Sequence, residues 1–457
     1  MEKKVIAVLA VTTALLSVAA TRHRAVAPPS TLSLNASRSF AVTDLSILDS
    51  FSFERMMNWM VDGSLTSSAQ LVRQMFDTQN PSPGMADAMA PHCDDFLVDG
   101  VPTFNGFPRH CPTPEGIHAA TPPDFGHFTP LALINRFDMA PADGANCGQY
   151  RIVYFNYLQQ PPSRLSMILE AVLPNPHREQ GIAGCKAVAQ FWADLSSVQS
   201  TVERRARLEK FFYDGLPGFE GVIRASHYSS ISGGGIRTRQ TNVPPTSRWR
   251  GYQFHIEQQC GSGGPCALRM TPDVLENLPF GPMFDANVDT AAARAFREHF
   301  LTQIPTLAIN DVNQYRMNID RQYLLGESDP LEDVRAFNYQ VPFNNSQSTD
   351  AGKAFRAQID AELKRIGSNL TPENIVARAE TQTCAGCHFV PQSVGGGLIF
   401  PGALDSSQVL NNVRIAGDDG AESRWATSGA MDNVFIPNRM RILREFLQSG
   451  KPPEHSN

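Results

Sequence analysis

The chain has 457 residues, 42% of them hydrophobic and 18% charged, which is the composition of a globular protein long enough for two or three domains. Its formal net charge of −6 argues against nucleic acid and against an anionic membrane surface as partners, because both attract positively charged proteins. Glycine and proline, at 33 each, indicate a loop-rich chain.

The N-terminus predicts a secretory signal peptide over residues 1–20. A short basic stretch ends at Lys4, an apolar or small-residue run follows from Val5 to Ala20, and small residues before Thr21 offer a cleavage site. The alternative is an uncleaved membrane anchor, for which this run is short. We therefore expect a periplasmic or secreted protein with no stable membrane span after cleavage. Residues 21–44, rich in Ser, Thr, Ala and Pro, are expected to be a flexible mature N-terminus.

Eight cysteines are present, and six of them lie outside the motif described below. An even number in an exported protein indicates disulfides, although six cysteines allow fifteen pairings in general, and free thiols are the alternative. Proximity in the sequence favours three pairs: Cys93–Cys111, Cys147–Cys185 and Cys260–Cys266.

Apolar periodicity predicts a mixture of helices and strands before residue 345. Helices are expected over residues 53–60, 67–76, 163–173, 185–195, 201–213 and 289–302. Strands are expected over residues 150–155, 222–227, 236–241 and 248–257. The fold class is therefore α+β, with a large, loop-rich, disulfide-stapled mixed domain over residues 45–344 whose role the sequence does not define.

A polar loop precedes the first of these strands. Asp138, Asp143 and Asn146 surround a glycine turn, an arrangement that suits either a hydrogen-bonded turn or a Ca²⁺ ion, without the ligand spacing of an EF-hand. Residues 135–155 resemble a stretch found in a group of large exported bacterial proteins that carry C-x-x-C-H. This resemblance implies no activity.

Cys384-Ala385-Gly386-Cys387-His388 is a C-x-x-C-H motif. Two thiols at this spacing can add to the two vinyl groups of a haem, and the adjacent histidine then lies under the iron as its proximal ligand. The alternatives are a redox dithiol or half of a zinc site. No second C-x-x-C is present to complete a zinc site, and no βαβ pattern surrounds the motif. The sequence therefore predicts one covalently bound haem c.

Residues 345–457 resemble a class I c-type cytochrome in layout, which implies a mostly α-helical haem domain. A helix is expected over residues 350–366, and Thr371-Pro372 opens another that runs into Cys384. The resemblance implies that Pro401 presents its carbonyl to the proximal imidazole. It also implies that Met431, shortly before a helix over residues 437–447, is the distal iron ligand; a histidine from the large domain or an open site is the alternative.

Two classes of function remain. The first is electron transfer to or from a redox partner protein or small-molecule substrate held by the large domain. Its enzymatic variant is a haem peroxidase or oxygenase with an open distal site, for which His227 and His255 are the candidate distal residues. The second is a disulfide-stapled binding module with an accessory haem. The sequence contains no nucleotide-binding fingerprint, no H-E-x-x-H and no G-x-S-x-G. The sequence indicates no substrate and no catalytic residue.

Overall fold

The structure is a computed structural model. It describes residues 32–77, 96–109, 124–157, 164–241, 249–328, 338–383, 386, 398–399, 414–417 and 422–451. The described residues from Leu34 onward belong to one compact unit. Cys384, Cys387, His388 and Pro401 lie outside the described residues, as do Cys93, Cys111 and the predicted signal peptide.

An antiparallel sheet of seven strands forms the centre of the described fold, in the spatial order β1-β5-β6-β7-β10-β11-β12. The remaining strands form small antiparallel pairs and a three-stranded sheet. In chain order the strands are β1 (Ala41–Val42), β2 (Leu97–Val98), β3 (Val101–Phe104), β4 (Phe107–Pro108), β5 (Phe128–Arg136), β6 (Asn146–Tyr157), β7 (Arg164–Pro174), β8 (Gly215–Leu216), β9 (Phe219–Glu220), β10 (Gly235–Thr241), β11 (Trp249–Cys260), β12 (Cys266–Asp273), β13 (Arg414–Ala416) and β14 (Glu422–Trp425).

The helices lie before, between and after these strands. In chain order they are α1 (Ala36–Ser39), α2 (Leu45–Leu48), α3 (Phe53–Met60), α4 (Ser68–Asp77), α5 (Lys186–Leu195), α6 (Thr201–Glu209), α7 (Ala291–Leu301), α8 (Ile304–Leu307), α9 (Gln340–Asn345), α10 (Asp350–Arg365), α11 (Pro372–Glu380) and α12 (Ile436–Ser449). Helices and antiparallel sheets are both major components, so the α+β class is confirmed.

One face of the sheet is apolar because side chains in a strand alternate between its two faces. On β6, Tyr150 and Tyr154 are fully buried on this face. Trp192 of α5 stacks on Tyr150 with ring centroids 5.7 Å apart, and Phe53 of α3 packs edge-on against Tyr154 at 5.1 Å. Aromatic contacts of this kind add to the burial energy and fix the helices on this side of the sheet.

The opposite face carries charged and polar side chains. The strand register places Arg151 opposite Glu170, Arg237 opposite Gln253, and Gln253 opposite Asp273. Glu170, Gln253 and Asp273 are buried even though they are polar. Because buried charges need partners, the packing on this side depends on ion pairs and hydrogen bonds.

Helices α7 to α11 share one hydrophobic core. Phe296 and Phe300 of α7 pack in the same buried cluster as Phe355 and Ile359 of α10 and Ile375 of α11. This core therefore contains residues from both sides of residue 345, where we place the boundary of the haem domain. That boundary stays a prediction.

The C-terminal helix α12 packs on the sheet region. The rings of Phe446 and Phe137 are 4.9 Å apart, and Leu443 and Phe446 are fully buried. Residues 36–42, within the segment expected to be flexible, form α1 and the edge strand β1, and Val42 is fully buried. The described fold therefore includes residues that precede position 45.

Two predictions of secondary structure were wrong. Residues 163–173 were predicted to form a helix, but β7 occupies this stretch and pairs with β6 on one side and β10 on the other. Its Leu165, Met167 and Leu169 alternate into the apolar core, so tertiary pairing overrides their helix propensity. Residues 222–227 were predicted to form a strand, but the stretch contains a short 3₁₀ turn at Ala225–Tyr228.

Two of the predicted disulfides are confirmed: Cys147–Cys185 joins β6 to the residue before α5, and Cys260–Cys266 closes the β11–β12 hairpin. Disulfides are compatible with an exported protein, because oxidising compartments preserve them. Cys93–Cys111 lies outside the described residues and stays a prediction. None of the helices in the described ranges is long and apolar enough to cross a membrane.

We expect the two disulfides to differ in their contribution to stability. Cys147–Cys185 spans 38 residues and Cys260–Cys266 spans 6, so the first restricts the unfolded chain more. Replacing both cysteines of the first pair by alanine should lower the free energy of unfolding by about 4 kcal/mol, against about 2 kcal/mol for the second pair. Urea unfolding of the oxidised variants measures both values; equal losses would contradict this expectation.

Candidate functional site

Gly386, a spacer residue of the C-x-x-C-H motif, is folded back on the end of α11. Its N–H donates a hydrogen bond to Thr383 Oγ1 at 2.8 Å, and Thr383 Oγ1 in turn donates to Glu380 O at 2.9 Å. A Cβ atom at position 386 would lie 1.8 Å from Glu380 O, which is far inside van der Waals contact. The close approach requires glycine at this position. Gly386 of the motif therefore lies against the C-terminal end of α11.

Helix α11 begins where the sequence predicted it, in a complete capping box. Thr371 Oγ1 accepts the N–H of Asn374 at 3.2 Å, and Asn374 Oδ1 accepts the N–H of Thr371 at 3.0 Å. Pro372 occupies the first helical turn. These contacts satisfy N–H groups that otherwise lack partners at a helix start. They fix the helix that leads into the motif.

Arg378 connects α11 to the segment that follows the motif. Its buried guanidinium donates from Nε to Leu398 O at 2.7 Å and from Nη1 to Leu307 O at 3.0 Å and Ile309 O at 2.9 Å. Burial lowers the pKa of Arg378, and the neighbouring Tyr315 opposes that shift. Charge-assisted hydrogen bonds to these three carbonyls hold two separate segments, residues 307–309 and residue 398, against α11.

Tyr315 makes the second connection. Its ring lies under the Arg378 guanidinium, 5.1 Å from it, and its hydroxyl donates to Ile399 O at 3.0 Å. Burial raises the pKa of Tyr315 above its ordinary value, so the hydroxyl stays protonated and acts as a donor. Residues before and after the motif therefore meet at Arg378 and Tyr315.

Met431, the predicted distal ligand, begins a π-helical turn, Met431–Phe435, that leads into α12. Its side chain is half-buried, and its N–H donates to Ser428 Oγ at 3.3 Å. Val434 in the same turn packs with Val312 and Tyr315. The turn carrying Met431 thus belongs to the Tyr315 cluster. π-Turns within α-helices are frequent at functional positions. Because His388 lies outside the described residues, ligation by Met431 stays a prediction.

Glu380 is a buried carboxyl group close to the motif in sequence. Burial raises its pKa to about 8, although hydrogen bonds from the backbone N–H groups of Tyr339 and Gln340 oppose this shift. Its Oε2 has no hydrogen-bond partner among the described residues. The group is therefore mainly a neutral carboxylic acid at pH 7. No sequence pattern indicated this property, because it arises from burial alone.

The two histidines considered as distal residues both lie within the large domain and are already hydrogen-bonded. His255 Nδ1 donates to Gly234 O at 2.6 Å, and its Nε2 donates to Asp273 Oδ2. A carbonyl and a carboxylate both accept hydrogen bonds, so this arrangement favours the doubly protonated ring and holds the pKa of His255 above its ordinary value. His227 Nδ1 bonds Val222 O at 3.0 Å, and burial lowers its pKa. For His255 to ligate iron, its hydrogen bond to Asp273 or its hydrogen bond to Gly234 O would have to break.

The contacts of the polar loop at residues 138–146 are those of a hydrogen-bonded turn rather than those of a cation site. Asp143 Oδ1 accepts the N–H of Ala145 at 2.9 Å, and Asn146 Oδ1 accepts the N–H of Gly148 at 2.9 Å. Asp138 faces Arg136 instead of the turn. Within the described ranges, no group of three His, Cys, Asp or Glu side chains is placed to hold a metal ion.

Comparison with known proteins gives no relative: no protein-family model, no curated protein and no solved structure matches this chain significantly. The motif and the residues around it are therefore the features that indicate a function.

The His255–Asp273 pair should make stability depend on pH. Burial lowers the pKa of His255, but Asp273 more than reverses this, so the pKa lies above its ordinary value. Burial raises the pKa of Asp273, and hydrogen bonds from His255 and Arg321 more than reverse it, so this pKa is lowered. The pair is therefore complete between about pH 4 and pH 6.5, and is lost as the pH falls below that window or rises through the folded pKa of His255.

We expect His255→Gln to lower the melting temperature more at about pH 5.5 than at about pH 9. Thermal unfolding followed by circular dichroism measures the difference. In an Asp273→Asn background, the same change should lose its pH dependence, since the partner charge is already gone. The same pH dependence in both backgrounds would refute the pairing.

Proposed function

We propose that this protein is an exported c-type haem protein that carries one haem and transfers electrons. The observation that carries the proposal is the C-x-x-C-H motif, in which Cys384 and Cys387 form the two thioether bonds and His388 is the proximal ligand. A haem held in this way supplies one-electron redox chemistry.

The residues around the motif fit such a group. Gly386, which lies between the two cysteines in the sequence, packs directly on Glu380 O and Thr383 at the end of α11. Arg378 and Tyr315 bond the carbonyls of Leu398 and Ile399, so the chain that leaves the motif returns to the helix that enters it. This convergence supports a cofactor held at the junction of these segments.

The Met431 turn supports a role for this thioether on the distal side. Through Val434 it packs against the same Tyr315 that bonds the segment after the motif. A thioether ligand opposite an imidazole favours ferrous iron and raises the reduction potential, which suits electron transfer. Glu380, as a neutral acid, adds no negative charge beside the motif at pH 7.

The predicted signal peptide and the disulfides support a periplasmic or secreted location. The electron donor or acceptor is then a redox partner protein or a small molecule held by the sheet region. The net negative charge continues to argue against nucleic acid.

Covalent attachment is the first test. Haem should remain on the polypeptide in a denaturing gel, because two thioether bonds hold it. The double variant Cys384→Ala, Cys387→Ala should lose haem staining completely. The matched control Cys260→Ala, Cys266→Ala, which removes the hairpin disulfide, should keep it. Staining that survives in the first variant would rule out attachment through the motif.

The distal ligand is the second test. If Met431 ligates iron, Met431→Ala should create CO binding to the ferrous protein and lower the reduction potential by a sizeable part of the roughly 0.8 V range set by axial ligands. Met440→Ala, which removes a half-buried thioether from the middle of α12, is the control and should change neither property.

The wild-type spectrum separates electron transfer from the peroxidase or oxygenase alternative. A ferric spectrum with the weak long-wavelength band of Met–His ligation, together with poor CO binding, supports electron transfer. A high-spin protein that binds CO at once and is indifferent to Met431→Ala would favour the open-site enzyme. The His255→Gln and His227→Gln variants would then be tested for peroxidase activity.

A further inference from the structure

Arginines from three separate elements meet at one edge of the polar sheet face. Arg136 ends β5, Arg151 lies in β6, and Arg439 comes from α12, about three hundred positions further along the chain. The three interact electrostatically, since Arg136 and Arg151 each disfavour the charged form of Arg439. Like charges are thus gathered where repulsion makes their proximity unfavourable.

Two carboxylates hold this group together. Asp138 accepts from Arg136, at 3.0 Å to Nε and 3.0 Å to Nη2, and pairs with Arg439 Nε at 3.8 Å. Glu170 pairs with Arg151 Nη2 at 3.0 Å and Arg237 Nε at 2.9 Å. Arg136, Arg151 and Arg439 therefore lie around two carboxylates, and Glu170 also pairs with Arg237.

Arg439 is the guanidinium with the fewest partners in this cluster. Its side chain is only 9% exposed, and its Nη1 is buried without a hydrogen-bond partner in the described part of the chain. Burial places the pKa of Arg439 well below its ordinary value, and Asp138 only partly opposes this shift. Leaving a charged donor buried and unsatisfied is strongly unfavourable, so a missing acceptor is the physical expectation.

We propose that Arg136, Arg151 and Arg439 form a binding site for an oxyanion, a carboxylate or phosphate group. The planar guanidinium presents paired N–H donors that match the oxygen geometry of these groups. Arg136 and Arg151 are 19% and 18% exposed, so the cluster has an edge that a ligand can reach. An added negative charge would offset the excess of positive charge and satisfy Arg439 Nη1.

The oxyanion has two sources with the same chemistry: a dissolved small molecule, or the carboxylates that a bound haem carries. The proposal itself stands on the arginine geometry and does not depend on the proposed haem function. The test must nevertheless distinguish the two sources.

The test for a dissolved anion is calorimetric titration of the holoprotein with inorganic phosphate and with succinate at constant ionic strength. The wild type should bind at least one of them, and Arg439→Gln should weaken that binding at least about tenfold. Arg441→Gln is the matched control, because Arg441 lies on the same helix but pairs with the exposed Glu445. Binding in this variant should equal that of the wild type.

The test for haem carboxylates is the reduction potential of the same three proteins. If the cofactor supplies the anion, the wild type binds neither phosphate nor succinate. The potential should then fall in Arg439→Gln and stay constant in Arg441→Gln, because a positive charge near the cofactor favours its reduced form. If Arg439→Gln does not fold, Arg151→Gln replaces it in both measurements, since Glu170 would retain Arg237 as a partner.

Two results would overturn the proposal. The first is a wild type that binds neither anion, combined with a potential that does not change in the cluster variant. The second is an equal effect of the cluster variant and Arg441→Gln in both measurements. Either result would make the cluster a structural link between α12 and the sheet.

Discussion

The two unlike faces of the seven-stranded sheet are the constraint on which the rest of the fold depends. The apolar face is covered by helices through contacts such as that between Tyr150 and Trp192, which require only shape and area. The charged face imposes a stricter condition, because every buried charge on it needs a partner in the right position. Arg321 is a partner of Asp273, and Arg439 is a partner of Asp138. Segments distant in sequence are thereby drawn onto the sheet by charge as well as by burial.

The junction at Arg378 and Tyr315 applies the same principle on a smaller scale. The buried Arg378 bonds only carbonyl oxygens, so its positive charge has no carboxylate among those contacts. Four hydrogen-bond acceptors and one aromatic ring surround the Arg378 guanidinium, and together they compensate for the missing carboxylate. Such a residue contributes little to net stability, but its removal leaves several carbonyls unsatisfied. It therefore specifies how the segments before and after the motif meet.

Much of the local structure could be predicted from the sequence, because it depends on residues close together in the chain. Thr371 and Pro372 locate the start of α11, and Ser200 caps α6 by accepting the N–H of Glu203. Cys260 and Cys266 are near enough in sequence to favour their pairing. The C-x-x-C-H motif at Cys384 could also be recognised from the sequence, since it is defined by the spacing of its residues alone. Its predicted use in binding haem is read from that spacing and not from the fold.

Other features depend on contacts that the sequence does not indicate. Residues 163–173 contain good helix formers, and only pairing with strands on both sides makes them β7. Met431 was singled out by its position before a helix, but Arg378, Tyr315 and Glu380 carry no pattern, because an isolated Arg, Tyr or Glu is usually at the surface. The sequence around Asp138 left open a cation-binding loop as an alternative to a hydrogen-bonded turn. The structure instead pairs this carboxylate with two arginines, one of them about three hundred residues away.

Residues 315 and 316 link the junction beside the motif with the arginine cluster. Tyr315 bonds Ile399 O, while the next residue, Arg316, interacts with Asp138 and Arg136 and donates to Tyr315 O at 2.7 Å. Burial lowers the pKa of Arg316, and Asp138 opposes this shift, so Arg316 adds positive charge to the same region. If both proposals hold, an anion bound by the arginines would weaken the positive potential around Tyr315, which bonds the segment after the motif, and would favour the oxidised form of the cofactor. The charged face of the sheet would then tune the redox chemistry as well as hold the C-terminal helix.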